Sequence, residues 1–231
     1  MAAHARPQIE AYIGASGSGK GVSVKRRLSE LQPSRLIVWD ARDEYAAHAP
    51  AVRTLPELVR AVGQAGDGPV RVRYVPGATV NLREAFGVVC RLAFAAGRLV
   101  YVAEELSTVT TPSWAPPAWR MCTTQGRHQR LHLIGVTQRP ALIDKTFLAN
   151  ATRVRCGVLG YRADRVAMAA ELDVSPAELA GLQASPQGSG ARLVMLERDR
   201  QAGRLEWVEL TVSRGGAVAE KRRRVTSAPL R

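Results

Sequence analysis

Lys20 closes the run Gly14-Ala15-Ser16-Gly17-Ser18-Gly19-Lys20-Gly21. Glycines at this spacing let the backbone turn with its N–H groups facing inward, which makes a concave anion site. A lysine at the end of such a loop brings a compact positive charge within reach of the β- and γ-phosphates of a nucleotide. Two acids, Glu104 and Glu105, follow the apolar run Leu99-Val-Tyr-Val-Ala103. In that order the first would hold Mg2+, often through water, and the second would orient or deprotonate an attacking water. Gln138 stands just past another apolar run, Leu131 to Val136. Its amide there can hydrogen-bond a γ-phosphate or the same water, or it merely ends a strand. Arg127 and Arg130 precede that run and so sit at its other end. They would reach a neighbouring subunit's nucleotide, as an arginine finger does, or they are solvated surface charge.

Two positions depart from the usual pattern for such a site. The residue after the lysine is ordinarily Ser or Thr, whose hydroxyl binds Mg2+, and here it is Gly21. Ser23 is no substitute, because two residues along a helix is about 200° of rotation. The first acid is ordinarily Asp, and Glu104 has the longer arm. The phosphate cradle survives both changes, and the metal site is where they bear.

These groups need elements to hold them. Ile9 to Ile13 is an apolar, strand-like run entering the glycine loop, and Val24, Leu28 and Leu31 share a helical face leaving it. The helix would aim its positive dipole end at the loop. Arg35 to Asp40 reads as a second buried strand. Its terminal Asp40 is either a carboxylate at the ligand edge of an α/β sheet or the cap of the next turn. Thr54-Leu-Pro-Glu57 is a capping box opening a short helix through Val62, and Ser175-Pro-Ala-Glu178 is a second. Val70 to Val75 alternates as a strand at an edge, Asn81 to Ala96 is a helix stopped by Gly97, and Ala118 to Gln129 is another. Ser107 to Pro117, with Trp114, is a surface loop that touches a partner or simply connects. Leu142 to Asn150 is helical, Arg153 to Val158 a strand, Tyr161 to Leu172 a helix and Gln183 to Gly190 a loop. Ala191 to Leu196 and Arg204 to Val212 form a terminal hairpin, followed by a polar tail with the basic run Glu220-Lys-Arg-Arg-Arg224. The pattern of strands alternating with helices predicts an α/β fold with a central, mainly parallel sheet.

Composition narrows the partners. The 231 residues carry 33 Lys+Arg against 20 Asp+Glu, a net charge of +13, which points to a polyanion such as nucleic acid or reflects arginine enrichment alone. Aromatic content of 5% does not advertise base stacking, while 46% hydrophobic residues suffice for a full core. Cys90, Cys122 and Cys156 lack metal spacing and read as buried free thiols of a reducing compartment. No apolar run approaches the roughly 18 residues of a membrane span, and the N-terminus has no apolar signal region.

Several of these residues agree with one family. The segment Gly126-Arg-His-Gln-Arg-Leu-His-Leu-Ile-Gly-Val-Thr-Gln-Arg-Pro140 resembles the strand-and-glutamine segment of FtsK/HerA-type DNA-pumping ATPases. Leu148 to Arg153 is similar to the stretch that follows it, and Asp40-Ala-Arg-Asp-Glu-Tyr45 is similar to the post-strand Asp…Glu-Tyr segment of the HerA branch. The resemblance spans Ile9 to Val158, and Thr137-Gln-Arg-Pro140 is its specific part. A short chain with little beyond the motor core further resembles the genome-packaging ATPases of tailless, internal-membrane icosahedral viruses.

The resemblance implies a RecA-like P-loop fold and ATP with Mg2+ as cofactors. It also implies a homo-oligomer, a hexameric ring, that threads double-stranded DNA through its centre. By position, Gly14, Ala15, Ser16, Gly17, Ser18, Gly19, Lys20 and Gly21 would bind the nucleotide, Glu104 the metal and Glu105 the water, while Gln138 would sense the γ-phosphate and Arg127 act in trans. A host-cytoplasmic location is expected, with docking at a virion vertex on a capsid or membrane-associated viral protein. Residues 1–198 would be the ATPase core, 199–213 the hairpin strand and 214–231 a flexible basic tail. A Zot-type filamentous-phage export ATPase, a nucleotide-binding assembly switch with little turnover and a small-molecule kinase are the alternatives.

Overall fold

Apolar runs too short for helices become strands buried on both sides. A computed structural model describes residues 8–183 and 190–225. In it, β1 (Ile9–Ile13), β2 (Arg35–Trp39), β5 (Val100–Ala103) and β6 (His132–Thr137) are buried along nearly their whole length. With β3 (Ala51–Val52), β4 (Val70–Tyr74), β7 (Arg153–Cys156), β8 (Ala191–Asp199), β9 (Arg204–Val212) and β10 (Val218–Arg224) they form one sheet, ordered β10-β9-β8-β7-β1-β6-β5-β2-β4-β3. Pairing is parallel from β7 to β3 and antiparallel from β7 to β10. Burial on both faces is what a parallel sheet with helical cover demands. The expected α/β P-loop fold, with a mainly parallel sheet and C-terminal antiparallel strands, is the one found.

Strand alternation divides the core between the two faces. Tyr12, Leu36, Val38, Val102 and Ile134 pack with Val24 and Leu28 of α1 (Lys20–Leu31). Ala11, Ile13, Ile37 and Trp39 point the other way. There they meet α2 (Leu55–Ala65), α3 (Leu82–Ala96), α4 (Pro117–Gln125), α5 (Lys145–Asn150), α6 (Arg162–Leu172) and α7 (Pro176–Ala180). A row of rings, Trp39–Phe86, Phe86–Trp119 and Trp119–Phe147, runs through this second face at centroid spacings of 5.2, 5.3 and 5.4 Å. Such spacings favour aromatic pairs beyond simple area burial. Both capping boxes form reciprocally, at Thr54/Glu57 and Ser175/Glu178. All three cysteines are free and buried. Among the described residues no helix is long and apolar enough to cross a membrane.

Several elements differ from expectation. β4 is flanked by the two-residue β3, so it is not the edge of the sheet. The helix expected to reach Gln129 ends at Gln125 and tightens into a 3-10 turn over Gly126–Gln129. The helix expected from Leu142 starts at Lys145, because the Asp144 side chain accepts a hydrogen bond from the Thr146 N–H. The basic run assigned to a flexible tail is instead strand β10, paired to β9 from Val218 to Arg224. Its charges are answered across the sheet, with Arg222 donating to Glu197 at 2.7 Å and to Glu206 at 3.0 Å. Residues 226–231 of that tail, and most of the loop expected from Gln183 to Gly190, lie outside the described residues.

Under α1 the apolar core gives way to an ionic layer. Glu10 on β1, fully buried, accepts from Arg27 Nη2 at 2.8 Å and from the Tyr12 hydroxyl at 2.7 Å, with His132 Nε2 at 2.9 Å. The layer continues through Arg155–Glu197 at 2.6 Å to Arg26–Glu220 at 3.2 Å. Burial alone would raise the Glu10 pKa. The His132 hydrogen bond and the charges of His132, Arg27 and Arg153 outweigh it and hold the carboxyl well below the usual range.

Candidate active site

The glycine loop hangs between the C-terminal ends of two strands beside β1. Gly14 N–H donates to Thr137 O at the end of β6 (3.2 Å), and Ala15 N–H donates to Val158 O past β7 (2.8 Å). Gly17 and Gly19 take φ of +76° and +91°, the left-handed region where glycine is favoured. Space is as restrictive as torsion. A Cβ at Gly14 would lie 2.3 Å from Ser18 Oγ, and one at Gly19 would lie 2.6 Å from Met195 Cε and 2.7 Å from Leu193 Cδ1. Strand β8 of the antiparallel extension therefore braces the loop from below. Gly19 caps α1 with no side-chain hydrogen bond, which leaves the first-turn N–H groups at the start of α1 open to an anion.

Across from the loop, β5 delivers the two acids. Glu104 is buried; its Oε1 accepts from the Tyr45 hydroxyl at 2.6 Å and its Oε2 from the Glu105 N–H at 3.2 Å. Burial raises the Glu104 pKa; Tyr45 and Lys20 oppose this, and the negative charges of Glu44 and Glu105 add to it. Glu105 sits at φ +51°, turning its carboxylate back over the strand end. Its Oε1 accepts from Ser107 Oγ at 2.8 Å, its Oε2 accepts from Gln138 Nε2 at 3.0 Å, and Arg42 stands 3.9 Å away.

The fold thus gathers Lys20, Glu104, Glu105 and Gln138 at one sheet edge, since all follow C-terminal ends of adjacent parallel strands. Arg127 is exposed in the turn before β6. The length of that strand, roughly 20 Å at about 3.3 Å per residue, separates it from Gln138. Asp40 resolves to the turn-capping role. Fully buried, it accepts from Glu44 N–H at 2.9 Å, Tyr45 N–H at 3.0 Å and Arg73 Nη1 at 3.0 Å. It holds the turn that carries Tyr45 to Glu104.

The role of Tyr45 was not read from sequence, although its segment was singled out. A tyrosine one residue after an acid carries no signal of which carboxylate it will meet. Past Gln138, Arg139 pairs with Asp164 at 2.8 Å and stacks 3.9 Å over the Tyr161 ring, a pairing sequence also left unread.

The residues present suit a hard cation: carboxylate oxygens of the buried Glu104 and Glu105 stand across from the glycine loop. Among the described residues no three His, Cys, Asp or Glu side chains converge as a metal cage. Mg2+ keeps waters and takes phosphate oxygens alongside one or two carboxylates.

No protein-family model matches the sequence. Protein P9 of Pseudoalteromonas phage PM2 is 30% identical over 179 residues, covering 76% of this chain and 79% of that protein. The genome packaging NTPase B204 of Sulfolobus turreted icosahedral virus 2, solved with ATP-gammaS, superposes with a TM-score of 0.66 at 15% identity, over 87% of this chain and 96% of B204. B204 of Sulfolobus turreted icosahedral virus, described as a DNA-packaging ATPase, gives a TM-score of 0.60 at 16% identity, over 88% and 98% of the two chains. The likeness to both structures is one of fold.

Proposed function

The chain belongs to the family of protein P9 of phage PM2, and from that premise we propose that it is an FtsK/HerA-type genome-packaging ATPase, moving double-stranded DNA into a preformed capsid at the expense of ATP. The observation that carries this is the Gln138–Glu105 hydrogen bond at the sheet edge that also bears the Lys20 loop. A carboxylate so held stands ready to take a proton from water, and the amide that holds it is placed to register a γ-phosphate.

In this reading the loop amides and Lys20 bind the triphosphate. Glu105 accepts a proton as water attacks the γ-phosphorus, and the bond to the β-phosphate oxygen breaks to leave ADP and phosphate. Mg2+, when bound, offsets charge on the phosphate oxygens, and Glu104 would hold it. Arg127, distant from its own subunit's site, would complete a neighbour's, which calls for a closed ring, taken as a hexamer. DNA would be gripped by its phosphates without regard to sequence, in keeping with a net charge of +13.

The test is steady-state ATP hydrolysis with and without duplex DNA, across protein concentration. Turnover that rises with duplex and steeply with concentration is expected. Hydrolysis indifferent to both, or phosphate transferred to a small acceptor, would overturn the reading.

A further inference from the structure

Position 21 is where a hydroxyl would ordinarily meet the cation, and this chain has a glycine there. The space around it is not featureless. A Cβ built on Gly21 has one heavy-atom neighbour within 4 Å outside its own helix and chain neighbours, Glu44 Oε2 at 3.7 Å. The carboxylate of Glu44 thus faces the place the missing side chain would fill.

Glu44 does not arrive there by chance of a loose loop. Its N–H is tied to Asp40 Oδ1 at 2.9 Å, and the next residue is tied twice, Tyr45 N–H to Asp40 Oδ2 at 3.0 Å and Tyr45 hydroxyl to Glu104 Oε1 at 2.6 Å. The same short turn therefore aims Glu44 at the start of α1 and joins it to Glu104. Its side chain is exposed, with its oxygens free to take a ligand. The charge of Glu44 is felt at Glu104, which places the two carboxylates in one electrostatic site with Lys20.

We propose that Glu44 supplies the oxygen ligand that a hydroxyl at position 21 would otherwise give, so that Glu44 and Glu104 together hold the Mg2+ of bound ATP. This rests on the ATPase reading. A carboxylate in place of a hydroxyl adds a negative charge, so nucleotide and cation should depend on each other more strongly than in a site with serine.

The experiment measures Mn2+ binding by electron paramagnetic resonance in the complex of the full chain with ATPγS, and ATPγS binding with metal chelated. Glu44→Gln keeps the backbone tie to Asp40, so the turn persists. The expected result is Mn2+ affinity lowered about 10-fold or more, the scale of metal-site lesions, with metal-free ATPγS binding as tight or tighter. Gly21→Ser added to Glu44→Gln should restore most of the loss, since a Cβ at Gly21 makes only ordinary contact. Mn2+ affinity within twofold of the parent chain in Glu44→Gln would overturn the proposal. So would equal loss of Mn2+ and metal-free nucleotide, which marks a structural role, or no recovery with Ser at position 21. A parent chain that binds no ATPγS at all would instead sink the ATPase reading.

Discussion

Two charged regions, one at the C-terminal ends of the parallel strands and one beneath α1, are built on opposite plans. At the sheet edge, Lys20, Glu44, Glu104 and Glu105 surround a cradle of bare backbone, held by neutral hydrogen bonds from Tyr45, Ser107 and Gln138. Beneath α1, Glu10, Arg27, Arg155, Glu197, Glu220 and Arg222 answer one another directly. The first plan leaves charge to be met by a ligand. The second consumes it within the protein. The difference teaches that burial of an acid does not by itself mark a reactive one; the identity of its partners does.

Breaking the first region should give the largest effect. Glu105→Gln is expected to lower kcat by about 10^2–10^4-fold, the usual weight of a positioned base, with ATPγS affinity within a few-fold of the parent chain. Retained turnover measured under saturating ATP would show that Glu105 belongs to the internally paired class.

Breaking the second region should leave the chemistry and cost stability. Glu10→Gln leaves Arg27 without its buried counter-charge, and a loss of about 3–5 kcal/mol in denaturant unfolding is expected. The pH dependence has a definite sign. The folded Glu10 pKa lies below its ordinary value of 4.5, so its contribution is complete above that pH and drains away as pH falls below it. Acid unfolding of the parent chain should therefore steepen below about pH 4.5, and Glu10→Gln should flatten that limb.

This contrast also explains what could be read from residues alone. The apolar runs at 99–103 and 131–136 betray strands, and polar residues at their ends fall on one edge by topology. Glu105 and Gln138 could thus be paired in advance. The ionic layer could not. Glu10 lies inside the apolar, strand-like run Ile9 to Ile13, and its partners stand at 27 and 132. The basic run of β10 has no apolar alternation, and the acids on β8 and β9 that meet its Arg222 are distant in sequence.

The seam between the regions is Gly19, pressed on Leu193 and Met195. Gly19→Ala forces a side chain into φ +91° and into β8, so a loss of about 1–3 kcal/mol and weaker ATPγS binding are expected together. Gly21→Ala, two residues on, meets nothing closer than 3.7 Å and should be neutral or gain up to about 1 kcal/mol. Equal effects at the two glycines, compared by thermal melts, would mean that β8 does not brace the loop.

The smallest effects should come from within β10, where adjacent residues belong to different plans. Arg222 turns toward the ionic layer and reaches Glu197, Glu206 and Glu220, while Arg223 is exposed beside Trp207 and Lys221 on the other face. Because Arg222 is itself more than a third exposed and Glu197 keeps Arg155, Arg222→Ala is expected to cost only about 1–2 kcal/mol. Arg223→Ala should change stability by no more than about 0.5 kcal/mol. If that outer face meets DNA phosphates, Arg223→Ala should also lower the slope of log affinity against log salt by about 1, uniformly across sequences. An unchanged slope would assign the face to solvent and move the search for a DNA contact elsewhere on the molecule.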